Sequence, residues 1–402
     1  MRSIPWKIEP SQFQEYLRTM RFKFHKWDTF ACGELKMVSE SIVLTAQEHQ
    51  TIVLLAERLA AILRKVENRL VRSSEKLKAL GISDELIELI QAEAESPLQL
   101  ARYDFFPTPS GGWAVSEFNE DVPGGFNEII SAPQLLPEFH PGYQIVDRFA
   151  EAFLESMPTT GTIALIYATG YSEDLQHMLI LQTILQQRQQ SAILCSPRHL
   201  KHRWGKFSVD GQSIAGFVRF YPGEWFRLLE NRRHWRQAVK RLPMLNPLRR
   251  LISQSKSVFA AWEDEGVVSA EELEFLHSVA PLTYRLPDAI KRSDLFRQIK
   301  EDRRGWVLKE NFGRMGENVV MGSLTSAPDW QLSLAEALKR PHDFIVQQKF
   351  DVTPTSFSQG LQYPGIGAFM INGQFVGYYS RIAKEPFLTH SATYVPTVID
   401  VS

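Results

Sequence analysis

The pattern that most restricts the fold is a pair of apolar runs, "GTIALIYATG" from Gly161 and "SAILCS" from Ser191, flanking the helix-like "SEDLQHMLILQTILQQRQQ". Strand, helix and strand in that order predict a β-α-β unit, and a further run, "IAGFVRFYP", predicts another strand beside it. This half of the chain reads as α/β. Ahead of it, "SIVLTAQEHQTIVLLAERLAAILRKVENRL" repeats apolar residues at helical spacing and predicts a helix over 41–70. Ser83 is placed to cap a second helix, "DELIELIQAEA", so residues 1–100 are expected to be mostly helical. Between these regions, "ARYDFFPTPSGGWAVSEFNE" predicts strands at Ala101 to Phe106 and Trp113 to Phe118, joined by a Pro/Gly turn. Downstream, "RLLENRRHWRQAVKRLPMLNPLRR" reads as a basic helix up to its prolines, and "VLKENFGRMGENVVMG" as strand, glycine loop and strand. "FIVQQKF" and "GIGAFMINGQFVGYYSRIA" predict the last strands, the second pair turning at Asn372-Gly373 as a type I′ hairpin.

Charge narrows the partners. Lys plus Arg number 45 against 46 Asp plus Glu, so the whole-molecule field gives no reason to expect nucleic acid or an acidic membrane surface. Cys32 and Cys195 lie far apart without CxxC spacing, which argues against a disulfide framework or a zinc site. The start has no apolar leader and no segment is apolar enough for a span, so a cytoplasmic location is expected.

Chemistry concentrates in the hairpin. Arg102 and Asp104 lie on one strand; Glu117, Asn119 and Asp121 fall on alternate residues of and beyond the other, where alternation gives them one face. An unpaired carboxylate on a buried face is costly, so a cation is expected there. Oxygen-only donors without His or Cys suit Mg²⁺, which keeps other positions for water and substrate phosphates. The alternative is a solvated polar hairpin face.

Lys309 ends a strand before a loop in which Gly313 and Gly316 bracket Arg314, an arrangement able to bring backbone N–H groups and positive charge to phosphates. G-x-x-G spacing serves a plain hairpin turn equally well. Lys256 falls on a predicted helix, where an ordinary solvated face is the alternative, and Arg381 follows a strand, where an ordinary edge residue is the alternative. The basic run at Arg232, Arg233, Arg236, Lys240 and Arg241 reads as a solvated helix rather than a nucleic-acid surface.

Taken in order, these segments resemble the glutathionylspermidine synthase family, circularly permuted ATP-grasp carboxylate–amine ligases. "RYD" at Arg102 to Asp104 and "EFNED" at Glu117 to Asp121 are similar to that family's acidic hairpin, "QSK" at Lys256 to its lysine segment, and "LKENFGRMGEN" to its nucleotide loop. "IVQQKF", "YYSRIAKEP" and "VRFYPGEWF" resemble further segments, and the similarity runs from about Trp27 to Ile399. It implies a mixed α/β ATP-grasp fold with a preATP-grasp-like β-α-β domain and a helical N-terminal region. The implied division is 1–100 helical, 101–140 acidic hairpin, 141–245 preATP-grasp-like and 246–402 nucleotide-binding lobes.

The resemblance further implies ATP and Mg²⁺ as cofactors. Asp104, Glu117 and Asn119 would hold the metal, and Arg102 the reacting carboxylate. Lys256 and Lys309 would contact phosphates, with Gly313, Arg314 and Gly316 in the loop; Lys291 remains open as a substitute for Lys256. Gln347 or Gln348 would lie near adenine, and Arg381, on a mobile loop, would cover the γ-phosphate. The implied partners are a small carboxylate, peptide or amino acid, and an amine. No segment of this sequence resembles the cysteine amidase domain that some members carry in front, so the implied chemistry is expected to form a bond rather than cleave one.

Two departures point to a changed pocket: Val122 and Gly124 stand where glutathione-binding members carry serines, and Glu310 where proline is usual. The expected activity is therefore ATP-dependent amide formation through an acyl phosphate with a substrate other than glutathione. A phosphotransferase and a catalytically inactive nucleotide-binding scaffold are the rival readings.

Overall fold

Strands Leu100–Pro107 and Trp113–Asn119 are neighbours in sequence, yet they complete a sheet whose other members come from far down the chain. In this computed structural model, which describes residues 1–402 apart from Cys32 and 314–318, that sheet runs Thr393–Val395, Gln374–Ala383, Gly360–Ile371, Leu100–Pro107, Trp113–Asn119. All these neighbours are antiparallel. The register sets Arg102 opposite Asn119 on one side and Phe369 on the other, and sets Asp104 opposite Gly367. At the tight turn Asn372 and Gly373 have φ of 52° and 83°, the two positive angles a type I′ turn requires.

The β-α-β unit forms as expected. Thr162–Tyr167 and Ala192–Cys195 are parallel, helix Ser172–Gln187 connects them, and Gln212–Phe220 lies parallel on the other side of Thr162–Tyr167.

A smaller sheet runs Thr283–Arg285, Phe344–Gln348, Trp306–Glu310, Val319–Met321. Trp306, Leu308, Phe344 and Val346 share a core with Trp330 and Leu334 from helix Ala327–Ala337. Alternation then sends the intervening residues, Lys309 and Gln347 among them, to the opposite face.

The expected helix over 41–70 begins later. Glu40–Thr45 is a strand between Arg2–Pro5 and Thr397–Asp400, and the helix is Ala46–Leu70. Both faces of this central strand are buried, so its apolar residues run consecutively and read like helix. The break falls at Thr45, whose hydroxyl caps Glu48 N–H while the Glu48 carboxylate accepts from Thr45 N–H. In the basic segment only Arg232–Ala238 is α-helical, and Arg232, Arg233, Arg236, Lys240 and Arg241 are exposed. No described helix is long and apolar enough to cross a membrane.

Candidate active site

Asp104 is 2 % exposed and is the electrostatic centre of the hairpin. Arg102 donates to it through Nε (2.7 Å) and Nη2 (2.9 Å), Arg381 through Nη2 (2.8 Å), and the Asn119 amide at 3.4 Å. Burial alone would raise the Asp104 carboxyl, but Arg102 and Arg381 outweigh it and hold it below the ordinary carboxylate range. The third arm of Arg102 reaches the Gly124 carbonyl at 2.7 Å. Gly367 makes room for this packing: a Cβ there would stand 2.3 Å from the Tyr379 carbonyl oxygen, 2.9 Å from Arg102 Cδ and 3.0 Å from Asp104 Oδ1.

The cation expected beside the alternating acids differs from place to place. Asp121 lies beyond the strand end and is neutralised by Arg219 (2.6 Å), with the Gly223 N–H on its other oxygen. Arginine, not a metal, answers that carboxylate. Glu117 is a third exposed and lies 3.9 Å from Lys256 Nζ. Among the described residues no three His, Cys, Asp or Glu side chains converge as a metal cluster. Asp104, Glu117 and Asn119 do line one cavity with two carboxylates and an amide, a hard-oxygen set whose chemistry fits Mg²⁺.

Lys309 and Lys256 are both buried. Lys309 donates to Gln347 Oε1 (2.7 Å) and to the Ser116 carbonyl (3.2 Å), which ties the small sheet to the hairpin. Burial lowers Lys309 to about 8, and neighbouring Lys256 adds to the shift against Glu117. Lys256 does not lie on a helix. It sits in the turn between the one-turn helices Leu251–Gln254 and Val258–Ala261, where the Ser255 and Ser257 hydroxyls donate to distant partners, the Leu80 carbonyl and Asn311 Oδ1, both at 2.7 Å. Its ammonium donates to the Gly313 carbonyl at 2.8 Å, and it is not among the residues lining the cavities. Lys291 is exposed and pairs with Asp288, well outside this cluster.

Two cavities meet here. One, of about 840 Å³, has an apolar wall including Val307, Met321 and Phe350, with Lys309, Gln347 and Gln348 on it. Gln347 is buried and donates to Thr283, whereas Gln348 is exposed. The other, of about 1440 Å³, is lined by Asp28, Glu128, Glu173, Tyr171 and Trp225, together with Val122, Gly124 and Gly313. Arg102, Glu117, Asn119 and Arg381 line both.

Arg381 is buried inside strand Gln374–Ala383, bonded on both sides, and is neither on a loop nor an edge residue. The run "YYSRIA" is long enough to continue the strand through it. Arg314 and Gly316 lie outside the described residues. Sequence reasoning passed over Lys26, Asp28, Glu128, His177 and Tyr379, all in the second cavity. Glu128 carried a readable signal: it is a lone carboxylate among Phe126, Ile129 and Ile130 at a helix start.

The family model described as "Glutathionylspermidine synthase preATP-grasp" matches residues 7–400. No curated protein matches the chain. Among solved structures, the apo glutathione synthetase-like effector of Globodera pallida is similar, with a TM-score of 0.56 at 12% identity, covering 97% of this chain and 98% of that one. A putative gamma-glutamylcysteine synthetase of Methylobacillus flagellatus gives a TM-score of 0.40 at 13% identity, covering 87% of each chain.

Proposed function

The chain belongs to the glutathionylspermidine synthase family and has its ATP-grasp fold, and from that premise we propose that it is an ATP-dependent carboxylate–amine ligase releasing ADP. The observation that carries this reading is that Arg102, Glu117, Asn119 and Arg381 line both cavities. One cavity has the apolar wall and buried lysine that suit a nucleotide; the other has the acidic and aromatic lining that suits organic substrates. A carboxylate lying between Arg102 and Arg381 would face the γ-phosphate from the second cavity.

In this proposal the adenine packs on the apolar wall near Gln347 and Gln348, Lys309 neutralises phosphate oxygens from that wall, and Lys256, held by the Gly313 carbonyl behind the cavity linings, adds positive charge from there. Asp104, Glu117 and Asn119 would hold Mg²⁺, which supplies charge neutralisation for phosphoryl transfer when bound. Arg102 and Arg381 orient the substrate carboxylate, whose oxygen attacks the γ-phosphorus; an amine then attacks the acyl carbon and phosphate leaves. The protein contributes position and positive charge, the two terms that dominate such transfers.

ADP release tests the reading. A ligase releases ADP with an acid and sustains turnover on adding an amine that appears in the product. A phosphotransferase releases ADP regardless of amine and leaves a stable phosphorylated product, and a scaffold releases none.

A further inference from the structure

Away from both cavities, the sheet of the β-α-β unit ends in a hairpin whose charge is one-sided. Residues 175–209 contain no Asp or Glu, against Arg188, Arg198, Lys201, Arg203 and Lys206, an imbalance that the near-neutral balance of the whole chain conceals. Leu200–Arg203 is the outermost strand of that sheet and pairs antiparallel with Lys206–Val209, which lies beside Gln212–Phe220. Leu200, Phe207 and Val209 belong to the core, so alternation turns Lys201, Arg203 and Lys206 together to the other face, and all three are exposed. Arg203 stands directly opposite Lys206, a like-charged cross-strand pair that costs stability. None of the three makes an ion pair with a described residue, and the next acid in the chain, Asp210, lies 3.2 Å from His199.

The tip breaks a second rule. Trp204 and Gly205 join the strands with φ of 52° and 76°, the two positive angles of a type I′ turn. The turns at Asp210-Gly211 and Asn372-Gly373 carry, at the same first position, the short polar residues that this conformation favours. Here that position holds a tryptophan, and it is 83% exposed, the highest value among the large hydrophobic residues described. Neither the turn nor the core calls for an indole there, and a bulky residue kept in an unfavourable conformation without a packing gain points to binding.

We propose that this hairpin docks the protein on an anionic lipid bilayer, with the Trp204 indole at headgroup level and Lys201, Arg203 and Lys206 against the lipid phosphates. An aromatic apex with cations set back behind it matches the order in which a membrane interface is met, since indole rings favour the headgroup region and basic side chains the anionic surface. A nucleic-acid strand is better served by several aromatic platforms along a basic groove, whereas Trp204 is the one aromatic ring at this tip and Ser208 faces Lys201 behind it. The inference does not depend on the ligase reading. None of these residues lines either cavity, so docking and turnover are separable by mutation.

The test is co-sedimentation of the full chain with vesicles of phosphatidylcholine alone or of equal parts phosphatidylcholine and phosphatidylglycerol. Binding is expected to the anionic vesicles only, and it should weaken as salt rises from about 0.1 M to about 1 M, where the screening length falls from about 10 Å to about 3 Å. Lys201→Gln, Arg203→Gln and Lys206→Gln together should weaken it on the order of a hundredfold, about fivefold per cation. Trp204→Asn should weaken it at least about tenfold. Because Asn suits the turn, the same variant should melt at or above the wild-type temperature, whereas a merely structural Trp204 predicts lost stability with binding unchanged. Equal binding to both vesicle types, binding to neither, or wild-type binding by Trp204→Asn overturns the proposal. Tighter binding to a single-stranded oligonucleotide than to the anionic vesicles, unchanged in Trp204→Asn, also overturns it.

Discussion

Arg102 grips both oxygens of Asp104, at 2.7 and 2.9 Å, within a sheet where the two residues are separated only by buried Tyr103. Because Arg381 shares the same carboxylate, removing it leaves two buried guanidinium groups without their counter-charge. Asp104→Ala is expected to destabilise the fold by about 3–5 kcal/mol, the usual cost of breaking a buried pair from one side. Chemical denaturation measures it, and a loss under about 1 kcal/mol would show that the arginines find other partners.

Lys309 is expected to set the pH dependence of the proposed nucleotide binding. Burial lowers it from the ordinary 10.5 to about 8. Between those values the unfolded chain holds the proton and the folded one does not, so this residue's contribution to stability rises with pH across that window. Bound phosphates favour the charged form. If Lys309 contacts phosphates as proposed, nucleotide binding should take up a proton above pH 8, and MgATP affinity should fall by up to about tenfold per pH unit there. Titration calorimetry at pH 7, 8 and 9 checks this, with Lys309→Met expected to be weaker and flat. Equal affinity of the wild type at pH 7 and 9 contradicts it.

Gly367 should tolerate no side chain. Its virtual Cβ meets backbone oxygen as well as the Arg102–Asp104 pair, so Gly367→Ala must move strand or pair. A loss of about 1–3 kcal/mol is expected, typical of overpacking, together with reduced ADP release. An unchanged melting temperature would mean that the sheet relaxes freely there.

The sequence alone set the β-α-β unit, the acidic hairpin and the I′ turn, because each is a local pattern of apolar period and turn residues. It misplaced the start of the helix now seen at Ala46, since a strand buried on both faces has no alternation to read. The partners of the acids were illegible for another reason. Arg219 reaches Asp121 and Arg381 reaches Asp104 across sequence separations of 98 and 277 residues, which no local spacing encodes. The Lys26–Glu128 pair was hidden in the same way.

Val122 and Gly124 line the second cavity without a side-chain donor, and the Gly124 carbonyl is already taken by Arg102. Glutathione is therefore expected to be a poor acid here, each lost hydrogen bond costing about 1–3 kcal/mol. Incubation with MgATP, glutathione and spermidine should yield no conjugate above the no-enzyme control by mass spectrometry; efficient conjugation would show that other donors replace the hydroxyls.

The most direct measurement is the mass of the product. With MgATP, pooled amino acids and short peptides as acids, and pooled primary amines, the wild-type chain should give a species equal to acid plus amine minus water. One ADP and one phosphate should appear per molecule, and Lys309→Ala and Glu117→Ala should each retain under about a tenth of that turnover, equivalent to a loss of at least about 1.4 kcal/mol of transition-state stabilisation. ADP formed with a phosphorylated acid and no condensed product, or variants that keep wild-type turnover, would contradict the ligase assignment.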